Sequence, residues 1–354
     1  MYMAAMTSRE RWLALFNRQA VDRVPTDIWA TPEVFDRLFR ELGCANKEEL
    51  CRKLHIDAPA DVWPPCKIKH HPDDPQAGIW GVRTTVINYG TGEYGEASYA
   101  PLAACETVED VHRFKWPSPD WFDYSAVTEM VRKLDGTRIV RGSGYEPFLL
   151  YCSMRGMEQA YEDLLVNPEI AHAALTHIFD FYYEHNRRSW EAAGGKVDYM
   201  YLAEDLGGQS SPLFSLETYR TFLRPNQVKM AALAKSMGIK VFYHTDGAAQ
   251  VFLDDLINVV GVDVLNPLQW RCPGMSREFL AEKIAPRIML HGGIDNQQTL
   301  PFGTVEDVVS EVKDCARIFK DARWICAPCH NIQPVTPTAN IVAMYETIHA
   351  IGVK

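Results

Sequence analysis

The feature that most constrains the fold is a repeated pairing of one short apolar strand with one helix, which becomes regular from residue 138 onward. Each predicted strand ends in a polar or glycine-containing turn, and the segment after it has the apolar spacing of a helix. Six such units follow one another, with their strands in RIVRGSGYEP, YMYLAEDLGG, KVFYHTDG, VDVLNPLQ, RIMLHGGID and WICAPCHNIQP. Alternation of this kind requires parallel strands joined by helical crossovers.

Two further strands are predicted near the N-terminus, in RVPTDIWA (residues 23–30) and in HIDAPADVW (residues 55–63), where Pro59 interrupts the second. Eight units predict a single α/β domain, a (β/α)8 TIM barrel that spans residues 1–354. The alternative is a doubly wound open sheet. No GxGxxG motif follows an early strand, so the phosphate-binding fingerprint of a dinucleotide fold is missing from the sequence.

Residues 64–119 differ from the rest of the chain. The stretch IWGVRTTVINYGTGEYGEASYAPL alternates and turns on glycines, which is typical of a β-hairpin. Clusters of proline flank it. We therefore expect an N-terminal β-hairpin insertion that overhangs the mouth of the barrel.

Charge and cysteine usage narrow the class of protein. The formal net charge is −10 and no basic run occurs, which argues against a nucleic-acid partner. The nine cysteines are scattered, no secretory segment is recognisable, and no apolar run approaches the length of a membrane span. We expect a cytoplasmic protein with reduced thiols that does not act at a membrane.

Polar side chains follow almost every predicted strand, although the strands themselves are apolar. In a barrel these positions converge on one mouth, where active sites lie. A ligand site there is favoured over structural roles, although Asp205 could cap a turn, Asn266 could be a turn residue and His291 could bond a backbone carbonyl. The residues are Asp27, Trp29, Ser143, Tyr145, Glu146, Glu204, Asp205, His244, Asp246, Asn266, Gln269, His291, Asp295, Cys326, Cys329, His330 and Asn331.

A metal site is predicted within this set. His244 and Asp246 are two residues apart at the end of a strand, so their side chains point the same way. Catalytic zinc takes three protein ligands and keeps a fourth position open. The third ligand is either Cys329 or His330. If side chains continue to alternate between the two faces past Pro328, His330 is favoured. The proline could interrupt that alternation.

The chain resembles the uroporphyrinogen decarboxylase superfamily over nearly its whole length. The likeness is carried by RVPTDIW, MRGMEQAYEDLLVNPE, AEDLGGQSSPLFSLETYRTFLRP, HTDG, LHGGIDNQ, LPFGTVEDV and CHNIQPVTPTANIVAMYE. The resemblance implies a (β/α)8 barrel and homodimerisation. It also implies one of two activities, decarboxylation or zinc-dependent methyl transfer to a corrinoid protein.

Two departures from the superfamily pattern bear on the activity. True uroporphyrinogen decarboxylases carry an RQAGRY-type segment whose arginines hold substrate carboxylates, whereas this chain has no arginine between Arg23 and Arg37. The methyltransferases carry HxC and a second cysteine, whereas here Asp246 and His330 stand at those positions. One carboxylate and two imidazoles would leave zinc with a net positive charge, which makes it a stronger Lewis acid and a better partner for oxygen.

The resulting hypothesis is a zinc-dependent methyltransferase that moves a methyl group from a methoxylated small molecule, for example an aromatic one, to a corrinoid carried by a partner protein. The predicted metal ligands are His244, Asp246, His330 and, as the alternative, Cys329. The predicted catalytic residues are Glu204, Asp205 and Tyr145. The predicted substrate contacts are Asp27, Trp29, Glu146, Asn266 and His291. The rival hypotheses are a decarboxylase acting on a small carboxylated substrate, with His330 as proton donor, and a non-catalytic barrel that binds a small molecule.

Overall fold

The computed structural model describes residues 5–352, and a curled parallel sheet forms its centre. Seven strands pair in the order β1, β4, β5, β6, β7, β8, β9, and every pair is parallel. The strands are β1 (Ala60–Asp61), β2 (Arg83–Asn88), β3 (Glu93–Tyr99), β4 (Val140–Tyr145), β5 (Tyr199–Ala203), β6 (Lys240–His244), β7 (Val264–Asn266), β8 (Met289–Ile294) and β9 (Trp324–Pro328).

Residues 25–30 close the sheet into a barrel. On one side, Asp27 donates its backbone N–H to Cys326 at 3.1 Å, and Cys326 donates to Pro25 at 2.9 Å. On the other side, Asp57 donates to Thr26 at 2.8 Å, just before β1. The extended segment therefore occupies the eighth strand position, which confirms the (β/α)8 barrel and excludes the open sheet.

Helices follow the strands and cover the outside of the barrel. They are α1 (Ser8–Phe16), α2 (Pro32–Leu42), α3 (Lys47–Lys53), α4 (Val108–Arg113), α5 (Ser125–Lys133), α6 (Pro147–Arg155), α7 (Met157–Val166), α8 (Pro168–Ala192), α9 (Leu216–Phe222), α10 (Arg224–Ser236), α11 (Leu253–Asp255), α12 (Arg277–Phe279), α13 (Thr299–Phe302), α14 (Val305–Ile318) and α15 (Thr338–Ile351). In α11 and α12 the chain continues into π-helical turns, Leu256–Val260 and Leu280–Ile284. From residue 5 to residue 352, no helix has both the length and the apolar character needed to cross a bilayer.

The barrel interior is packed with large side chains below the mouth. Tyr199 and Phe242 meet Trp12 of α1, whose ring is stacked on Tyr199 at 5.5 Å and is fully buried. Helix α1 thus covers the N-terminal end of the barrel. Because this end is filled, the polar side chains at the opposite ends of the strands are the ones that solvent and ligands reach.

The insertion contains the predicted hairpin, formed by the antiparallel strands β2 and β3. Its tip contacts the start of α2, where Glu93 donates its N–H to the Glu33 carboxylate at 3.3 Å. Its base is held by Arg155, which is buried, pairs with Asp163 at 2.7 Å and donates to the carbonyl of Leu102 at 2.6 Å. Since α2 begins where residues 25–30 end, the hairpin tip lies on the mouth side of the barrel.

One buried histidine under the insertion makes stability depend on pH. His185 lies on α8 with its ring 4.4 Å from Phe122, and burial lowers its pKa to about 4. The unfolded chain, with an ordinary pKa of about 6.5, binds more protons between these values, so stability is lost as the pH falls from about 6.5 to about 4. Both His185→Gln and His185→Phe should therefore reduce the difference in unfolding free energy between pH ~7 and pH ~4.5 by roughly 2 kcal/mol, measured by urea unfolding. The same pH difference in both variants as in the parent protein would contradict this.

Candidate metal centre at the barrel mouth

Three side chains meet at the mouth in the arrangement of a metal site. The ligand atoms of His244, Asp246 and His330 all lie within 4.8 Å of one another. Nε2 of His244 is 3.9 Å from Oδ1 of Asp246, and Nε2 of His330 is 3.7 Å from Oδ2 of the same carboxylate. The prediction that these residues converge from two strands thus matches their placement.

The turn after β6 fixes the position of Asp246. Gly247 has a φ of 73°, and a Cβ there would come within 2.3 Å of the carbonyl oxygen of Gly207. Only glycine allows the chain to turn back this closely. The N–H of Gly247 donates to the Gln269 side chain at 2.6 Å, which holds the turn.

The electrostatics of this group fit a cation. Within residues 5–352, Oδ1 of Asp246 is buried and has no hydrogen-bond donor. Burial raises the pKa of Asp246, while His244 and His330 oppose that shift. Tetrahedral zinc with bonds of about 2.0 Å holds its ligand atoms about 3.3 Å apart. The candidate ligand atoms lie within 4.8 Å of one another, so binding would draw the three side chains closer together. A divalent cation would supply the positive charge that this buried carboxylate lacks.

A buried hydrogen-bonded chain lies behind His244. Its Nδ1 is 2.6 Å from Oδ1 of Asn266, and Nδ2 of Asn266 is 2.8 Å from Nδ1 of His291. Nε2 of His291 is 3.1 Å from the Asp27 carboxylate. Burial is the largest single influence and disfavours ionisation of Asp27, but the hydrogen bonds from His291 and the N–H of Ile28, together with nearby positive charge, keep the pKa of Asp27 below its ordinary value.

The anion at the end of this chain determines the tautomer at the metal centre. A carboxylate only accepts, so Nε2 of His291 donates to Asp27. The Nδ2 group of Asn266, which only donates, faces Nδ1 of His291, so that nitrogen accepts. The amide oxygen then faces His244, whose Nδ1 must donate. The lone pair of His244 is therefore on Nε2, which faces Asp246 and His330. Histidine ligands of metals are usually oriented by such partners.

Asn266 and His291, which are predicted to contact the substrate, both belong to this buried chain. Both side chains are completely buried and bonded within the chain described above. Sequence reasoning placed them correctly at strand ends. It could not foresee that the barrel would turn both side chains toward each other and away from the mouth.

Two more carboxylates lie beside the three candidate ligands. Asp205 is half exposed and 3.9 Å from Nε2 of His244, and it accepts the N–H of Asp246 at 3.3 Å. Glu146 follows β4. Burial and the nearby charges of Asp205 and Asp246 raise the pKa of Glu146 to about 7, although His330 opposes the shift. Glu146 is thus a carboxyl group that holds a proton near neutral pH.

Glu204 and Tyr145, both predicted to be catalytic, are placed differently. The Glu204 side chain is buried and accepts the N–H of Phe148 at 2.8 Å, at the start of α6. Burial raises its pKa well above the ordinary value. Tyr145 is buried against Phe179 and Tyr182. Both side chains are covered by protein, Glu204 at the start of a helix and Tyr145 among aromatic rings, and their catalytic roles stay predictions.

Cys329 lies one residue before His330 but points away from the three candidate ligands. Its thiol donates to the carbonyl of Leu268 at 3.1 Å, and its side chain is buried. Burial raises the pKa of this thiol well above its ordinary value. Metals bind the thiolate, so a thiol in this environment is a poor ligand. The group of three side chains that lie together contains His330 and not Cys329, and the choice of His330 as the third ligand stays a prediction.

Two cavities flank the metal centre. One, of about 430 Å³, reaches Asp246 and His330 and is lined by amide side chains, including Gln209, Gln269 and Gln333. The other, of about 280 Å³, lies on the far side of the His244 ring. Its residues are Asp27, Ile28, Trp29, Ala30, Phe35, Lys47, Pro59, Arg141, Tyr201 and Asn331.

Two aromatic side chains of the second cavity also contact His244 of the candidate metal centre. The rings of Trp29 and Tyr201 lie 5.5 and 5.6 Å from that of His244. Trp29 was predicted to contact the substrate and does line this cavity, as does Asp27. Sequence reasoning missed Tyr201 and Arg141. The alternation Ile139, Arg141, Ser143 could have revealed Arg141, because a charged residue on the interior face of an apolar strand needs a reason.

The fold, with polar side chains gathered at one mouth, is typical of barrels that have their active sites at the C-terminal ends of the strands. Comparisons with known proteins identify the family. A sequence model described as "Uroporphyrinogen decarboxylase (URO-D)" matches residues 89–351. The chain belongs to the uroporphyrinogen decarboxylase family. This agrees with the resemblance found in its motifs.

Individual relatives are distant. The uroporphyrinogen decarboxylase of Anaeromyxobacter sp. (strain Fw109-5) is 23% identical over 377 residues, which cover 97% of this chain and 99% of the relative. A methylated-thiol–coenzyme M methyltransferase of Methanosarcina mazei is 26% identical over 194 residues, or 54% of this chain and 48% of that protein. Among solved structures, a methyltransferase from Methanosarcina mazei superposes with a TM-score of 0.68 at 17% identity, over 98% of this chain and 99% of the other.

Proposed function

We propose that this protein is a zinc-dependent methyltransferase that takes a methyl group from a methoxylated small molecule and passes it to the reduced cobalt of a corrinoid bound by a partner protein. The observation that carries the proposal is the convergence of His244, Asp246 and His330 around a buried carboxylate oxygen that lacks a donor. Two relatives named as methyltransferases support methyl transfer as the reaction.

The ligand set favours oxygen over sulfur as the atom that loses the methyl group. When bound, zinc would supply Lewis-acid stabilisation of the negative charge that develops on the departing oxygen. Because this set has one anionic ligand, it neutralises less of the metal charge than a set with two thiolates. A hard, more positive cation prefers an oxygen partner.

The remaining residues orient the substrate and supply a proton. Trp29 and Tyr201 flank the His244 ring and offer flat apolar walls. Glu146 lies beside the carboxylates of the site with a pKa of about 7. In the overall exchange the methyl–oxygen bond breaks, a methyl–cobalt bond forms, and the oxygen takes one proton. Glu146 is the group placed to donate that proton.

Metal removal tests the proposal. Protein purified without chelator should contain zinc by mass spectrometry and should methylate cob(I)alamin from some member of a panel of methoxyarenes, followed by the absorption change of the cobalt. Chelation should abolish the transfer, and added zinc should restore it. Full activity in a zinc-free preparation would contradict the proposal.

Decarboxylation is the second candidate, because a relative named as a decarboxylase aligns over the whole chain. The absence of arginine between residues 23 and 37 weakens it. The two candidates differ in their need for metal and in their product. Release of carbon dioxide from a small carboxylated substrate by zinc-free protein would favour decarboxylation, and methyl transfer that depends on zinc would favour the methyltransferase. A barrel that only binds its ligand would do neither.

A further inference from the structure

The cavity of about 280 Å³ on the far side of His244 contains two cationic side chains that no step above uses. Arg141 enters it from β4 and Lys47 from the first turn of α3. Asp27, Trp29 and Tyr201 also line it. The cavity therefore joins positive charge and aromatic surface within one barrel mouth.

The guanidinium of Arg141 has more N–H donors than there are acceptors bonded to it in the protein. Its Nε donates to the Asp61 carboxylate at 2.6 Å, and its side chain is only 21% exposed. Across residues 5–352, neither terminal nitrogen of this guanidinium has a protein acceptor, and the same holds for Nζ of Lys47. The ammonium of Lys47 lies 5.4 Å from the centre of the Phe35 ring. A half-buried guanidinium with free terminal nitrogens is a strong anion binder, because its planar fork matches a carboxylate.

The anion that shares the cavity is already satisfied. The Asp27 carboxylate accepts the N–H of Ile28 at 2.8 Å, Nε1 of Trp29 at 3.0 Å and Nε2 of His291 at 3.1 Å. It has little capacity left for Arg141 or Lys47. The cavity consequently presents donors to a ligand, although its formal charges balance when Asp61 is included.

We propose that Arg141 and Lys47 form a subsite for the carboxylate of the methylated substrate, so that the substrate class is an aromatic acid with a methoxy group. The proposal rests on the proposed function, since it assumes that the methyl donor lies at this mouth. The aromatic ring lies along Trp29 and Tyr201, whose own rings contact His244. The acid is held at the far end of the cavity and the methoxy group is directed toward the metal centre.

Binding of a matched pair of ligands tests the subsite without any turnover. The probes are 4-methoxybenzoate and its uncharged analogue 4-methoxybenzamide, titrated calorimetrically into zinc-loaded and into zinc-free protein. The parent protein should prefer the acid by at least about 10-fold in both forms, because a charge-assisted pair contributes that much. Arg141→Gln should weaken binding of the acid about 10- to 100-fold and of the amide less than about 3-fold.

The controls separate charge recognition from damage to the barrel. Lys47 lies on helix α3 and not in the barrel sheet, so Lys47→Met keeps the test decisive if Arg141→Gln fails to fold. It should weaken binding of the acid by a smaller factor than Arg141→Gln. Arg132→Gln is the matched control, because Arg132 is exposed on α5 and pairs with Glu129. It should leave both affinities unchanged.

Each outcome bears on the subsite separately from the methyl transfer. Equal binding of acid and amide, no binding of either, or unchanged acid binding in Arg141→Gln and Lys47→Met would overturn the subsite. Preference for the acid that Arg141→Gln removes would support it even if the protein transferred no methyl group. That last result would leave the subsite standing and reject the proposed function.

Discussion

His244→Ala is expected to lower zinc affinity at least about 100-fold and to abolish methyl transfer. Even partners of a metal-bound histidine cost 10- to 100-fold when removed, and loss of the ligand itself should cost no less. The hydrogen bond between Nδ1 of His244 and Asn266 also holds the ring in place, so the position of Nε2 is lost with this side chain. Competition with a chromophoric chelator measures the affinity, and absorption of methylated cobalt measures the transfer.

The matched control is His70→Ala, which removes an exposed histidine of the insertion. It should leave zinc binding and transfer as in the parent protein. A His244→Ala variant that folds, retains stoichiometric zinc and still transfers methyl groups would show that the ligand assignment is wrong. Loss of transfer with undiminished zinc affinity would equally contradict the role of His244 as a ligand.

Asn266→Leu is expected to weaken zinc binding about 10- to 100-fold although Asn266 acts only through His244 and is not itself a proposed ligand. The substitution removes the acceptor that fixes the proton of His244 on Nδ1 and the donor that fixes His291. Nothing would then hold the proton of His244 on Nδ1, and its ring would lose its orientation. Asn266→Asp should be similarly harmful, because a carboxylate cannot donate to Nδ1 of His291.

Thermal unfolding of the zinc-free variants separates positioning from general stability. Both substitutions should lower the melting temperature of the zinc-free protein, since they disturb a buried network. A positioning role predicts a second effect. Adding zinc should stabilise these variants less than it stabilises the parent protein. Variants that unfold earlier but gain as much stability from zinc as the parent protein would show that Asn266 is structural only.

The architecture could be predicted from the sequence because a regular alternation of strands and helices is compatible with only a few arrangements of a parallel sheet. The weak strand around residues 55–63 shows where this reasoning is limited. Pro59 obscures its pattern, and only Ala60–Asp61 pair as β1. Barrel closure depends instead on residues 25–30, whose bonds to β9 join the first and last units of the chain. Pairing over this sequence separation leaves no local signature.

Part of the candidate site could be predicted from the way side chains alternate between the two faces of a strand. His244 and Asp246 share a face because they are two residues apart. The alternation past Pro328 could not be settled from the sequence, and in the structure His330 lies with them while Cys329 points away. Alternation does not say which polar side chains pair with each other inside the barrel. Asn266 and His291 were therefore expected to face the substrate, and Glu204 was expected to be catalytic, whereas all three are buried among protein partners.

The central claim is that one cation is held by nitrogen and oxygen ligands from β6 and from the end of β9, without a cysteine. X-ray absorption at the zinc edge of the loaded protein tests this directly, since sulfur ligands lie near 2.3 Å and nitrogen or oxygen ligands near 2.0 Å. The account predicts a first shell of nitrogen and oxygen only, with the outer-shell scattering of two imidazoles. A sulfur ligand, or a shell with fewer than two imidazoles, would contradict it.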